Sequence, residues 1–82
     1  MHTIYLDAAD YAAAAEVHAA LKRLLDLPDY YGMNADALYD CLSERTEPVN
    51  LVIAHAGTPE TEETLRKVSC VIGDLGGEVR RG

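Results

Sequence analysis

Only two cysteines, Cys41 and Cys70, occur in the 82-residue chain, too few for the disulfide framework of a small secreted scaffold. Each sits in an apolar helical context and is expected to be a buried free thiol. No apolar run approaches the roughly eighteen residues of a membrane span, so no membrane partner is expected. The opening MHTIYLDAADY lacks a basic region followed by a long apolar segment; no secretory signal is visible, and cytoplasmic residence is expected. His2, His18 and His55 fall in three different elements without metal spacing, so neither metal nor cofactor is expected. GDLGG has neither the spacing nor the following lysine of a phosphate loop. Positive charge is scarce too. Seven basic residues face fourteen acidic ones, a net charge of −7 that repels phosphate backbones and argues against direct nucleic-acid binding.

What is present is enough for one domain, residues 1–82, with 49% hydrophobic residues arguing against disorder. A chain of this size buries about 60–65% of the surface its unfolded form exposes, so the core is modest. HTIYL, residues 2–6, reads as a short strand. Asp10 is placed to cap a helix running from Tyr11 to about Leu25, with Ala14, Val17, Leu21, Leu24 and Leu25 inward. Pro28 closes it. Asn34 is the expected N-cap of a second helix, Ala35 to about Ser43, after a linker in which Gly32 is the candidate for a positive φ. VNLVIA, residues 49–54, is the most strand-like run and reads as a strand buried on both faces. Thr58 and Pro59 open a third helix to about Asp74, with Leu65, Val68, Val71, Ile72 and Leu75 inward. Gly76-Gly77 ends it, and Glu78 to Arg81 form a last strand, polar enough to be an edge. The order β-α-α-β-α-β predicts an α/β domain of two layers: a three-stranded parallel sheet covered by about three helices on one side.

Charge is unevenly distributed. Between Leu24 and Ser43 lie Asp26, Asp29, Asp36 and Asp40, with no lysine or arginine. Asp36, Tyr39, Asp40 and Ser43 recur along one side of the second helix, opposite Leu38, Cys41 and Leu42. Like charges four residues apart cost an isolated helix about 0.2–0.5 kcal/mol, a small penalty that one cation would remove. Tyr30 and Tyr31 enter from the preceding loop; Tyr31 is expected to complete the core and Tyr39 to be exposed. Rigid rings beside carboxylates suit a protein–protein contact. Paired carboxylates also serve catalysis, but that needs a cleft and split pKa values, for which a short surface helix offers little wall. Cys41 with a histidine, the other candidate for chemistry, lies on the core side. The chain is therefore read as not an enzyme.

LPDYYGMNADALYDCL closely resembles the barstar family of intracellular inhibitors of the secreted ribonuclease barnase. The likeness runs from LKRLLDLP at the end of helix one through Leu42, about a third of the chain in residue detail, and the element order outside it also fits. The resemblance implies a non-catalytic inhibitor whose loop and second helix enter the active site of a small cationic ribonuclease or toxin. Tyr30, Asp36 and Asp40 match contact positions, and Tyr39 stands where the family has tryptophan. Asp40 would take the place of an RNA phosphate among cationic side chains, with Asp36 paired to another cation and the rings covering the rim. Asn34, Leu38 and Cys41 match positions that build and cap the helix. Asn34 and the neighbouring Asp29 complete the candidate partner-binding set.

There are departures from the pattern. Met33 replaces a family glutamate, and Ile72 or a close neighbour lies where the last helix contributes one, with Asp74 the nearest acid. The segment after Ala54 has room for one helix where the family has two. The resemblance thus implies an enzyme differing in detail from barnase, and weaker action on barnase itself. A second reading keeps the same acidic patch but gives it to an adaptor or regulatory domain that binds a non-nuclease basic protein.

Overall fold

The computed structural model of the chain describes residues 2–82; residue 1, the first of the expected domain, lies outside them. Its elements are β1 (His2–Asp7), a 3-10 turn (Ala8–Asp10), α1 (Ala14–Leu24), α2 (Ala35–Ser43), β2 (Val49–Ala54), α3 (Pro59–Asp74) and β3 (Val79–Arg81). The β-α-α-β-α-β order is as expected. The strands form one parallel sheet in the order β1-β2-β3. Leu6 lies opposite Ile53 in one pairing, and Leu51 opposite Val79 in the other.

Side-chain alternation sets the layers. Ile4 and Leu6 of β1 and Val49, Leu51 and Ile53 of β2 are buried on one face, where they meet Leu21, Leu38, Leu65, Val68 and Ile72 of the helices. Residues between them in sequence point the other way: Tyr5 is exposed, and Asn50 and Val52 are only half-buried. β2 is thus buried on one face, not both. All three helices cover the same side, which leaves the second face with no layer against it, and Asn50 marks that face. β3 is the expected edge, one residue shorter than predicted and exposed along its length.

Helix boundaries follow the capping chemistry. α2 begins where predicted, because the Asn34 side chain accepts a 2.8 Å hydrogen bond from the Ala37 amide. α3 begins where Thr58 accepts from the Thr61 amide and Pro59 occupies the first turn. It ends at Gly76, whose φ of +90° suits glycine, and Gly77, where a Cβ would lie 1.9 Å from the Val49 carbonyl oxygen.

α1 departs from expectation. It starts at Ala14 rather than Tyr11, and Asp10 does not cap it. Asp7 instead bonds the Ala9 amide and winds Ala8–Asp10 into the 3-10 turn, so Tyr11 leaves in an extended conformation. The N-cap is Ala13, which has no side chain to offer. The missing acceptor comes from α3: Glu60 takes the Ala14 amide at 2.7 Å. Thr58 and Thr61 hydroxyls donate to the Ala12 and Tyr11 carbonyls at 3.1 and 2.9 Å. One end of α3 therefore finishes α1, and the two helices pack together. Leu24, expected inward, is exposed, while Leu25 is buried.

Cys41 is half-buried against the core and Cys70 is exposed on α3, so neither is the buried thiol expected. Cys70 falls one turn after Arg66 and three residues after Lys67, on the solvent arc of the helix.

Two substitutions test this account of the caps. Glu60→Ala is expected to lower unfolding free energy by about 0.5–2 kcal/mol in urea denaturation, whereas Asp10→Ala stays within about 0.5 kcal/mol. Asn34→Ala is expected to cost about 1 kcal/mol, and Asn34→Asp to restore most of it because the acceptor is kept.

Candidate partner-binding surface

α2 is short, and its rotation about its own axis decides what it displays. Leu38 and Leu42 are buried in the core, and Ala35, Ala37 and Cys41 pack partly against it. Burying a leucine contributes roughly 1.5–3 kcal/mol, far more than the repulsion between two carboxylates four residues apart. The arc that remains carries Asp36, Tyr39, Asp40 and Ser43, all exposed. Tyr39, 43% exposed, lies between the two aspartates.

Neither carboxylate is neutralised. Among the described residues, neither Asp36 nor Asp40 has an ion-pair or side-chain hydrogen-bond partner. The Ser43 hydroxyl beside Asp40 donates to its backbone carbonyl at 2.9 Å and leaves the carboxylate free. Asp36, in the first turn, gains from the positive end of the helix dipole. Asp40 has no such help, being in the second half of the helix, with Glu44 as the C-cap beyond it. Arg45, the next cation along the chain, turns back to the Leu25 carbonyl at 3.2 Å and ties the end of α2 to the end of α1.

The loop before α2 holds the other candidates. Tyr30 is 84% exposed, while Tyr31 is buried as expected. Burial pushes the Tyr31 phenol above its ordinary pKa of 10. Its hydroxyl lies 2.7 Å from Nδ1 of His18, a buried residue of α1, and 3.5 Å from the Asn34 carbonyl. Asn34 is exposed, but its side chain serves the backbone, accepting from Ala37 and donating to the Gly32 carbonyl at 3.0 Å. It builds the helix rather than reaching outward. Asp29 is fully exposed, with its carboxylate 3.8 Å from the Lys22 ammonium, so it is the one candidate acid with a cation of its own.

Two features differ from the reading of the sequence or were missed by it. The positive φ expected of Gly32 belongs to Met33, at +57°. A side chain at position 32 would put a Cβ 3.2 Å from Ala37 Cβ and 3.4 Å from the Asn34 side-chain nitrogen, a tight approach, and the next residue turns the corner. A left-handed non-glycine residue costs about 1–2 kcal/mol, strain of a kind that collects in binding loops. The second is His18. Its position one residue after Val17 and three before Leu21 put it on the inward arc of α1, a signal available in the spacing. Ile72 is buried and cannot meet a partner, while Asp74, at the end of α3, is exposed.

Elsewhere the surface offers less chemistry. Among the described residues no three His, Cys, Asp or Glu side chains come together as a metal site, and no helix is long and apolar enough to cross a membrane. His55, at the end of β2, pairs with Asp7 at 3.0 Å, which holds the Asp7 carboxyl below its usual range.

The chain matches the barstar family, described as "Barstar (barnase inhibitor)", over residues 1–78. It is also similar to a Bacillus subtilis (strain 168) protein named "Putative ribonuclease inhibitor YrdF", with 44% identity over 54 residues. That alignment covers 65% of this chain and 59% of the relative, so the matched region spans less than two thirds of the relative's length. A match along nearly the whole chain, together with the parallel three-stranded sheet and the element order, settles the kinship: this chain belongs to the barstar family.

Proposed function

We propose that this chain is a non-catalytic inhibitor that blocks the active site of a small cationic ribonuclease, acting in the cytoplasm of the cell that makes the enzyme. The observation that carries the reading is the pair of exposed, unpartnered carboxylates, Asp36 and Asp40, on a helix whose rotation is set by the core. A ribonuclease holds its substrate's phosphates with arginine, lysine and histidine side chains. A carboxylate presented from a rigid helix satisfies the same cations yet offers no bond to cleave. Asp40 is the central anion in this arrangement. Asp36 meets a second cation, and Tyr30 and Tyr39 cover the rim and exclude water from the charged contacts. Asn34 acts through the helix it caps, and Asp29 contributes long-range attraction rather than a fixed contact, since Lys22 is nearby.

Family membership and the relative's name support the inhibitory class. The pattern of differences points away from barnase as the preferred enzyme. Met33 carries no charge, Tyr39 has less area than an indole, and buried Ile72 leaves the last helix without a contact at that position. A net charge of −7 draws a cationic partner from a distance, so part of the association rate is electrostatic.

The test is inhibition of RNA hydrolysis by a panel of small basic microbial ribonucleases, barnase included. Asp40→Ala is expected to weaken binding to an inhibited enzyme by about 2–5 kcal/mol, the usual loss when one partner of a desolvated charge pair is removed, with the circular dichroism of the fold unchanged. Affinity unchanged within twofold rules out the proposed plug. Binding to a basic protein with no effect on any ribonuclease would favour the adaptor reading. A separate expectation concerns salt: stopped-flow association should slow by tenfold or more as ionic strength rises from about 0.01 to 0.5 M, while dissociation changes much less.

A further inference from the structure

The loop from Asp26 to Asn34 joins two helices that pack on the same sheet, and of its side chains only Leu27 and Tyr31 are buried in the core. Among the described residues, two side-chain ties join it to α1. One is the Lys22–Asp29 ion pair, 3.8 Å long and open to solvent. The other is the Tyr31–His18 hydrogen bond, 2.7 Å long and buried, with the two rings 5.9 Å apart and tilted by 53°. The Tyr31 amide bonds Pro28 within the loop, and the Leu27 amide bonds the Lys22 carbonyl at its start. Leu27, at the start of the loop, is buried in the core, and the anchor of residues 28–34 is the Tyr31 side chain.

We propose that His18 is the positioning residue of the partner-binding loop, and that gain of a proton on its imidazole releases residues 28–34 from α1. The inference rests on the inhibitory reading only in taking Tyr30 and the start of α2 as the binding element.

The chemistry follows from which atom donates. The Tyr31 hydroxyl has two acceptors in view, His18 Nδ1 at 2.7 Å and the Asn34 carbonyl at 3.5 Å. The second is long for a hydrogen bond, and in this proposal the hydroxyl donates to a bare Nδ1 while the imidazole proton sits on Nε2. A proton taken from solvent by Nδ1 turns that acceptor into a donor. The hydroxyl must turn to accept the new N–H and send its own hydrogen to the distant Asn34 carbonyl; the bond can reform in that sense, so what loosens the tie is the cost of holding an imidazolium away from water. A buried cation is created in the same step, with no anion to meet it.

Among the described residues, Tyr31 is the one side chain hydrogen-bonded to His18. From the loop, the group facing His18 is the Tyr31 hydroxyl. From α2, the titratable neighbour is Cys41, which acts on Tyr31. On α1 itself Lys22 is one turn away, with its ammonium near Asp29. The sheet presents Ile4, Leu6, Leu51 and Ile53 to the core, and α3 presents aliphatic residues with Thr61 and Thr64. Burial alone holds the His18 pKa below its ordinary 6.5. For a base whose folded-state pKa is lowered, the unfolded or released form binds the proton more readily. The tie is therefore fully present above pH 6.5 and is lost as pH falls through the depressed value. A partner gripping Tyr30 and α2 would be held less tightly in acid.

The experiment is a titration of the full chain from pH 7.5 to 4.5, following backbone amides by 1H–15N spectra and the histidine rings by their carbon-bound protons. The expected result is a shift or broadening of the Tyr30–Asn34 amides with the same midpoint as the His18 ring, below 6.5, while the Leu65 and Val68 amides of α3 stay in place across that step. In His18→Asn the side-chain amide can still meet the Tyr31 hydroxyl but does not titrate, so the loop step should vanish. The proposal is overturned if the loop signals stay flat while His18 titrates, or follow His2 or His55. It is also overturned if they disappear together with those of α3, or if the step survives in His18→Asn. Should that variant not fold, the midpoints of the native chain decide alone. No partner is required, so a failed titration leaves the inhibitory reading standing, and a failed inhibition assay leaves the titration result standing.

Discussion

Seating Leu38 and Leu42 in the core fixes the rotation of α2, and the exposed acidic arc of that helix depends on that constraint. A nine-residue helix is too short to be stable in isolation, so tertiary burial rather than propensity holds it. Once the two leucines are placed, the 3.6-residue period leaves Asp36, Tyr39 and Asp40 no direction but outward. The repulsion between the carboxylates is a few tenths of a kcal/mol and is offset several times over by the buried pair. Charge that would serve a folded domain better if it were paired is left exposed.

The rest of the chain keeps that helix in position. Asn34 starts it, Arg45 ties its end to α1, and Tyr31 pins the loop before it to His18. α3 packs against α2 from one side and, through Glu60, Thr58 and Thr61, finishes the start of α1. Strain is admitted at Met33, next to the helix cap, where the loop must turn sharply after the close approach of Gly32. The helix and the loop before it, which is anchored through buried Leu27 and Tyr31, give the surface two parts. The carboxylates stand on the helix, and Tyr30 on the loop.

Much of this was written in local chemistry. Asn34, the Thr58-Pro59 pair and Gly76 each act on their own neighbours, so the limits of α2 and α3 could be read from the chain directly. The start of α1 could not, because its cap is Glu60, forty-six residues away, and Asp10 looked adequate for the task. The second face of β2 was misjudged because an apolar run does not say how many layers surround it; Asn50 alone carried that information. Cys70 was judged by its apolar neighbours in sequence rather than by the arc of α3 it shares with Arg66 and Lys67. The acidic arc of α2 was legible because helical periodicity needs only a few turns. His18 was overlooked because histidine was weighed as a metal ligand rather than as a core acceptor.

The central claim is that a carboxylate of α2 occupies the place of an RNA phosphate, and competition tests it most directly. With a ribonuclease that the chain inhibits, the apparent dissociation constant of the complex can be measured at rising concentrations of a mononucleotide that fills the enzyme's phosphate site. The account predicts that the constant increases in proportion to nucleotide occupancy, with no ternary complex. Unchanged affinity at saturating nucleotide would contradict it, because the helix and the phosphate would then be using different ground.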